Sequence, residues 1–401
     1  MIQEIKFELK KYVMTKSHFV ILFVITFAGM GILFWNEGGY FFEKAMRKDF
    51  YAQVGQTFSE ADKQKWIEEK ERLEQELYVT DIDGVVSPNK EEVNKKGKYA
   101  DTRIDDYKLL DELVTCIEVV EKRNRNTSLV TDTFEGASHD YEREDNHMLA
   151  DRKKLSAVAH NMAFGWMPCL ALIIILSASF AVEYENNVNS VLCITEKGEW
   201  AVSMAKILTG IFTAVVLNVY FWGIYLISQT FFLGMTEQDW RQPLFLAEGY
   251  QMCASGTSIQ GFLAKQILVS LLVSVLIAIF TMVLSKLIKK SIYALLAALG
   301  VFVAALIPDL LNMMVYSNVY VSEMSNWYLI SEPAFYRMLK YEKIFNPVSM
   351  IQFQYYVEQP RYIQILDFQY PVYCFPIIVA VLLIGIFSIF LFYEKSGRRK
   401  K

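Results

Sequence analysis

The chain has 401 residues, of which 53% are hydrophobic and 14% aromatic, and a mean hydropathy of +0.23, against about 45–50% apolar residues in soluble domains. Charged residues still reach 21%, a share that membrane spans do not carry by themselves, so the polar material must be gathered between them. The net charge of -4 excludes a nucleic-acid phosphate backbone as partner, and the five cysteines, without a CxxC, exclude a disulfide framework.

Residues 1–17 form the first predicted element. Ile2, Ile5, Leu9 and Val13 recur at helical spacing while Glu4, Glu8 and Lys11 take other faces, which fits an amphipathic helix in a headgroup layer or a simple extension of the first span. Residues 18–35 are that span. Their apolar core exceeds the roughly 7–15 residues of a secretory signal, and Trp35-Asn36-Glu37 offers no small-residue cleavage site. Five further runs, 161–182, 204–233, 260–284, 291–316 and 372–393, are long enough to cross about 30 Å of hydrocarbon.

Basic residues set the expected orientation. Lys6, Lys10, Lys11 and Lys16 precede the first span, Lys197 and Lys206 separate the second from the third, and Lys286, Lys289 and Lys290 separate the fourth from the fifth. Lys395, Arg398, Arg399, Lys400 and Lys401 follow the sixth. Six crossings put all four clusters on one side, so a multi-pass cell-membrane protein with both termini in the cytoplasm is expected.

Residues 36–160 then form an extracellular α-helical insertion containing 28 acidic and 20 basic residues. Ser59-Glu60-Ala61-Asp62 is a capping box opening a helix over 59–78, with Trp66, Leu73 and Leu77 on one stripe. A second helix is predicted over 105–125, with Tyr107, Leu110, Val114 and Ile117 on one face, and a third from about Glu142 into the second span. The first two are joined by a polar loop over 81–102 with a turn at Ser87-Pro88-Asn89. The acidic bundle is either a ligand surface for cationic peptides or plain solvated helix. His139 and His147 stand about 80° apart around a helix and converge poorly on a metal.

No G-x-x-x-x-G-K-[ST], H-E-x-x-H or G-x-S-x-G occurs, so the chain holds no nucleotide cradle and no recognised hydrolytic motif. The informative stretch is Glu183-Tyr184-Glu185-Asn186-Asn187, followed by Val191, Leu192, Thr195, Lys197 and Gly198, and then Lys206 at the mouth of the third span. It resembles the permease subunits of type-two ABC exporters, which carry an E-Y-E-N-G-T-like start, a leucine-rich short helix, a turn and a lysine. Asn187-Val188 stands here where Gly-Thr is usual, and Glu196-Lys197-Gly198 replaces a proline turn.

The resemblance implies an all-α polytopic protein with a five-span membrane domain over 161–401 and a coupling loop over 183–203. Leu192 and Val191 would insert into an ATP-binding cassette subunit, while Glu185, Glu196 and Lys197 make charge pairs at its rim. It further implies a second permease chain, as homodimer or heterodimer, contact with membrane lipid, and ATP and Mg held by the partner, with no cofactor in this chain. Glu183 and Lys206 either belong to that coupling element or anchor two helix ends in headgroups.

Asn218 in the third span, and Asp309 and Asn312 after Pro308 in the fifth, are costly in hydrocarbon and must face protein or water, as pathway residues or at an interface. Pro308 is expected to kink or end its helix. Residues 317–371 form an outer aromatic segment, including Trp327, Tyr328, Phe335, Tyr336, Phe345, Tyr355 and Tyr356 and broken by Pro333, Pro347 and Pro360, of short helices dipping into one leaflet. A sensor or immunity protein that binds an extracellular peptide through the acidic insertion is the competing expectation.

Overall fold

The computed structural model describes residues 2–13, 15–55, 57–80, 86–88, 98–133, 149–160, 162–188, 198–248, 250, 257–320, 345–358, 362–365 and 368–393. Among them six helices are long and apolar enough to cross a membrane.

Helix α1 (Ile2–Glu8) passes into a π-helical turn, Leu9–Val13. Thr15 then accepts a hydrogen bond from the His18 amide and caps α2 (Lys16–Val54). This helix does not stop at Trp35: its 39 residues, about 58 Å at 1.5 Å each, carry the first span onward into the polar insertion as one rod.

The insertion consists of α3 (Glu60–Leu77) packed along α4 (Lys98–Thr133). The Ser59 amide and hydroxyl donate to Asp62 at 3.0 and 2.6 Å, and the Asp62 amide donates back to Ser59, which forms the anticipated capping box. Leu73 of α3 and Leu110, Leu113 and Ile117 of α4 are buried in the same hydrophobic core. Part of the expected loop is instead a hairpin, with β1 (Tyr78–Thr80) antiparallel to β2 (Val86–Pro88). Ser87 and Pro88 therefore lie in a strand rather than a turn, Pro88 being tolerated at its end. The third helix begins later than expected: α5 (Arg152–Ala159) starts at a cap made by Asp151 and ends at His160, within the apolar stretch Arg152–Glu185 that makes the second candidate span. His139 and His147 lie outside the described residues.

Arg47 ties α2 to α4 and to the start of α5. Its buried guanidinium grips Glu112 of α4 through two 2.7 Å bonds, Asp151 at 3.1 Å and Glu43 at 3.0 Å. The Tyr40 hydroxyl donates to the other Asp151 oxygen at 2.8 Å. Burial lifts the Asp151 carboxyl, and Arg47 and Tyr40 pull it back.

The membrane helices are α6 (Met162–Leu176), α8 (Gly198–Phe232), α10 (Ile259–Ile288), α11 (Ser291–Tyr320) and α13 (Cys374–Tyr393), together with the first part of α2. Between them lie α7 (Ala181–Glu185), α9 (Glu237–Arg241) and α12 (Gln354–Glu358). Helix α10 is the hub, contacting α6, α8, α11 and α13.

In the second half of the chain α11 runs through Pro308 to Tyr320 without ending. Proline removes one backbone donor there, and the Asn346 side-chain amide donates to the nearby Ala305 carbonyl at 2.7 Å. Asn346 also caps the buried 3₁₀ turn Pro347–Gln352, which inserts among α6, α10, α11 and α13. Gly165 admits this turn, since a Cβ there would stand 2.6 Å from Ile351 Cγ2. A second hairpin, β3 (Tyr362–Ile365) with β4 (Phe368–Pro371), leads to the sixth span. Among the described residues the fold is mostly helical, as expected, with two small two-stranded hairpins added.

A buried charge cluster at one end of the bundle

The second span ends in two pieces. After Leu176 the chain turns through 177–180 and restarts as α7. Phe180, at the cap position of α7, makes no side-chain capping bond; instead Ser285 Oγ of α10 accepts from the Phe180 and Ala181 amides at 3.0 and 2.9 Å. A neighbouring span thereby supplies the oxygen that a helix start needs.

This turn places Glu183 inside the protein, 5% exposed. One oxygen lies 2.7 Å from Lys206 Nζ and the other 3.5 Å from Lys11 Nζ. Lys206, 2% exposed, also donates to the Ser179 carbonyl at 2.5 Å and stands 4.3 Å from the centre of the Phe180 ring. The attraction of each ion for its partner and the surrounding dipoles offset the loss of water.

Glu8 is the fourth charged member. It is buried beside Lys206, Lys11 and Glu183, and its Oε2 makes no hydrogen bond. Burial pushes its carboxyl above the usual range, and Lys206 and Lys11 counter part of that. The spacing of the first residues put Glu8 on a face away from the apolar stripe. In the structure Glu8 instead lies on the buried side of α1, one helical turn from Ile5.

The cluster extends to the remaining spans. Glu185 accepts from the Ser291 amide and hydroxyl at 2.8 and 3.1 Å, setting a carboxylate at the start of α11. Lys286 of α10 donates to the Leu391 carbonyl of α13 at 2.7 Å. Lys289 closes α10 in a left-handed conformation and lies 5.2 Å from the Tyr184 ring. The lysine-bearing segments before the first span, between the second and third, and between the fourth and fifth thus meet at one end of the bundle.

Of the residues singled out from sequence, Glu183 and Lys206 come together as a buried ion pair. Lys206 is more than two turns inside α8, not at its mouth. Glu185 is exposed and engaged with α11. Gly198 opens α8, so residues 198–203 lie in the helix that carries the third span, Ala201–Phe232. Val191, Leu192, Thr195 and Lys197 lie outside the described residues. Asn218 is buried: its Nδ2 donates to Ser270 at 2.9 Å and reaches Ser274 at 3.4 Å, and Trp222 also donates to Ser270. It ties α8 to α10 in mid-bundle. Asp309 and Asn312 lie on α11, with side chains outside the described set.

Sequence reading missed Ser285 and Ser291, because a serine that caps another helix carries no local mark. It also missed Glu8 as a buried group; only a carboxylate on a helix that must lie against the bundle could have signalled it.

Comparison with protein-family models, with curated proteins and with solved structures returns no match to this chain.

Proposed function

We propose that the chain is the permease subunit of an ABC exporter, moving a substrate across the cell membrane with ATP hydrolysed by a separate subunit, and that it works beside a second permease chain. The observation that carries this reading is the mechanical linkage at the end of the second span. Glu183 is ion-paired to α8, Glu185 bonded to α11, and the start of α7 held by Ser285 of α10. A force applied to residues 186–197 would therefore reach the second to fifth spans together, as a coupling element requires.

In this reading the segment around Leu192 is the handle, the buried cluster is its pivot, and the cytoplasm lies at the cluster's end. Nucleotide and magnesium sit in the partner. The polar insertion projects on the opposite, external side.

Purification of the full chain in mild detergent should recover an ATP-binding chain, and Leu192→Glu should abolish that recovery while leaving membrane insertion intact. Failure to recover such a chain under conditions that preserve complexes would turn the assignment toward a membrane-anchored sensor. Labelling of Cys193 from outside intact cells would reverse the sidedness and defeat the proposal.

A further inference from the structure

We infer that the groove between α8, α9 and α10 at the insertion end of the bundle is a specific site for one phospholipid with a zwitterionic headgroup. The groove has a volume of about 670 Å³, within the roughly 300–1,000 Å³ of small-molecule sites. Its position, walls and mouth each match one part of such a lipid.

The walls are apolar. Leu226 of α8 faces Leu263 and Ile267 of α10, and Ala264 leaves room between them. These residues lie within the last two turns of one span and the first three of the next, about 12 Å of helix at 1.5 Å per residue. The groove continues into the face exposed to hydrocarbon: Ala264 is followed one turn on by Leu268, and Ile227 and Phe231 flank Leu226 and Thr230, all three large side chains being about two-thirds exposed. A chain entering at the mouth therefore meets apolar surface all the way into the bilayer.

The mouth is polar and carries both signs of charge. Arg241 and Glu237 form a 2.5 Å ion pair with side chains that are 73% and 79% exposed, and Gln260 stands opposite on α10. Trp240 completes the mouth, an amphipathic ring of the kind that settles at a membrane–water interface. Helix α9 is held in this pose from behind, because Asp239 caps its start with Thr236 and binds Lys154 at 2.6 Å. That leaves the Arg241–Glu237 pair turned outward.

The charge pattern selects the headgroup. A phosphate can take a charge-assisted bond from Arg241, but a purely anionic lipid would set its charge beside Glu237. A zwitterion places its phosphate at Arg241 and its ammonium at Glu237, satisfying both. Lipid at this groove requires a membrane-embedded bundle but not a transporter.

The test uses the full chain reconstituted in vesicles of equal phosphatidylethanolamine and phosphatidylglycerol, then released for native mass spectrometry. The expected result is one phosphatidylethanolamine retained per chain. Ala264→Trp, which fills the groove, should lower the retained fraction at least tenfold. Glu237→Lys changes an exposed side chain that the fold does not need, and should shift retention to phosphatidylglycerol; it keeps the test decisive if Ala264→Trp does not fold. Retention of no lipid, retention unchanged by both variants, or a dimer that Ala264→Trp dissociates without loss of lipid would each overturn the assignment.

Discussion

Replacing Lys206 by methionine isolates the central interaction of the charge cluster. At an effective dielectric of about 20, unit charges 2.7 Å apart attract by about 6 kcal/mol, while taking each ion out of water costs several. The pair as a whole is then close to neutral for stability, but removing one member strands the other. Lys206→Met should destabilise the chain by about 3 kcal/mol, the low end of the 3–5 typical of a broken buried pair, because Lys11 remains 3.5 Å from Glu183. Replacing both residues, Glu183→Met with Lys206→Met, should return stability to within about 1 kcal/mol of the parent, since apolar side chains of similar volume fill the site without a stranded charge. The assay is the fraction of monodisperse full-length protein remaining after heating in detergent, compared over the four members of the double-mutant cycle. If the double variant loses the sum of the two single losses, the residues do not act as a unit and the pivot argument falls. If it recovers stability but no longer supports ATPase stimulation by its partner, the pair serves coupling rather than folding.

Arg47→Met should cost about 3–5 kcal/mol by stranding Asp151, and adding Asp151→Asn, which keeps a capping oxygen for α5, should recover much of it; protease resistance of the insertion reads both. Glu8→Gln should stabilise the chain near neutral pH. Its folded carboxyl lies above the ordinary value, so the fold binds that proton more tightly than the unfolded chain does. Stability therefore falls as pH rises from the ordinary carboxylate range through the folded value, and a heat-inactivation series against pH should lose that slope in the variant. Gly165→Ala should destabilise by roughly 1–3 kcal/mol through overpacking against Ile351, and Ile351→Ala in the same chain should relieve part of it; no loss in the single variant would mean that the inserted turn yields freely.

Much of the architecture was legible because each feature depends on local composition. The apolar runs mark six spans, as a length of hydrocarbon demands. The Ser59–Asp62 box and the stripes through Leu73 and Ile117 mark two helices of the insertion, because capping and a 3.6-residue period are encoded within a few residues. The stretch from Glu183 to Glu185 stood out as charge at the end of a span. Other features were not legible. Among them are the continuity of α2 through 35–36 and the contact of Arg47 with Asp151, which joins residues 104 positions apart.

What local chemistry decided by itself is the number of spans, their approximate limits, and the placing of lysines in alternate connections, on one side of the bundle, since each depends on the water-to-hydrocarbon transfer of a contiguous segment. Only the tertiary structure decided that Glu183 and Lys206 face each other inside the protein, that Ser285 caps a helix it does not belong to, and that Arg241 and Glu237 stand at the mouth of a groove. The first two pairings join residues 23 to 105 positions apart, and the groove brings separate helices together, so no period or propensity records them; the buried pairings exist because burial of a charge or a backbone amide is tolerated only where another element brings its complement.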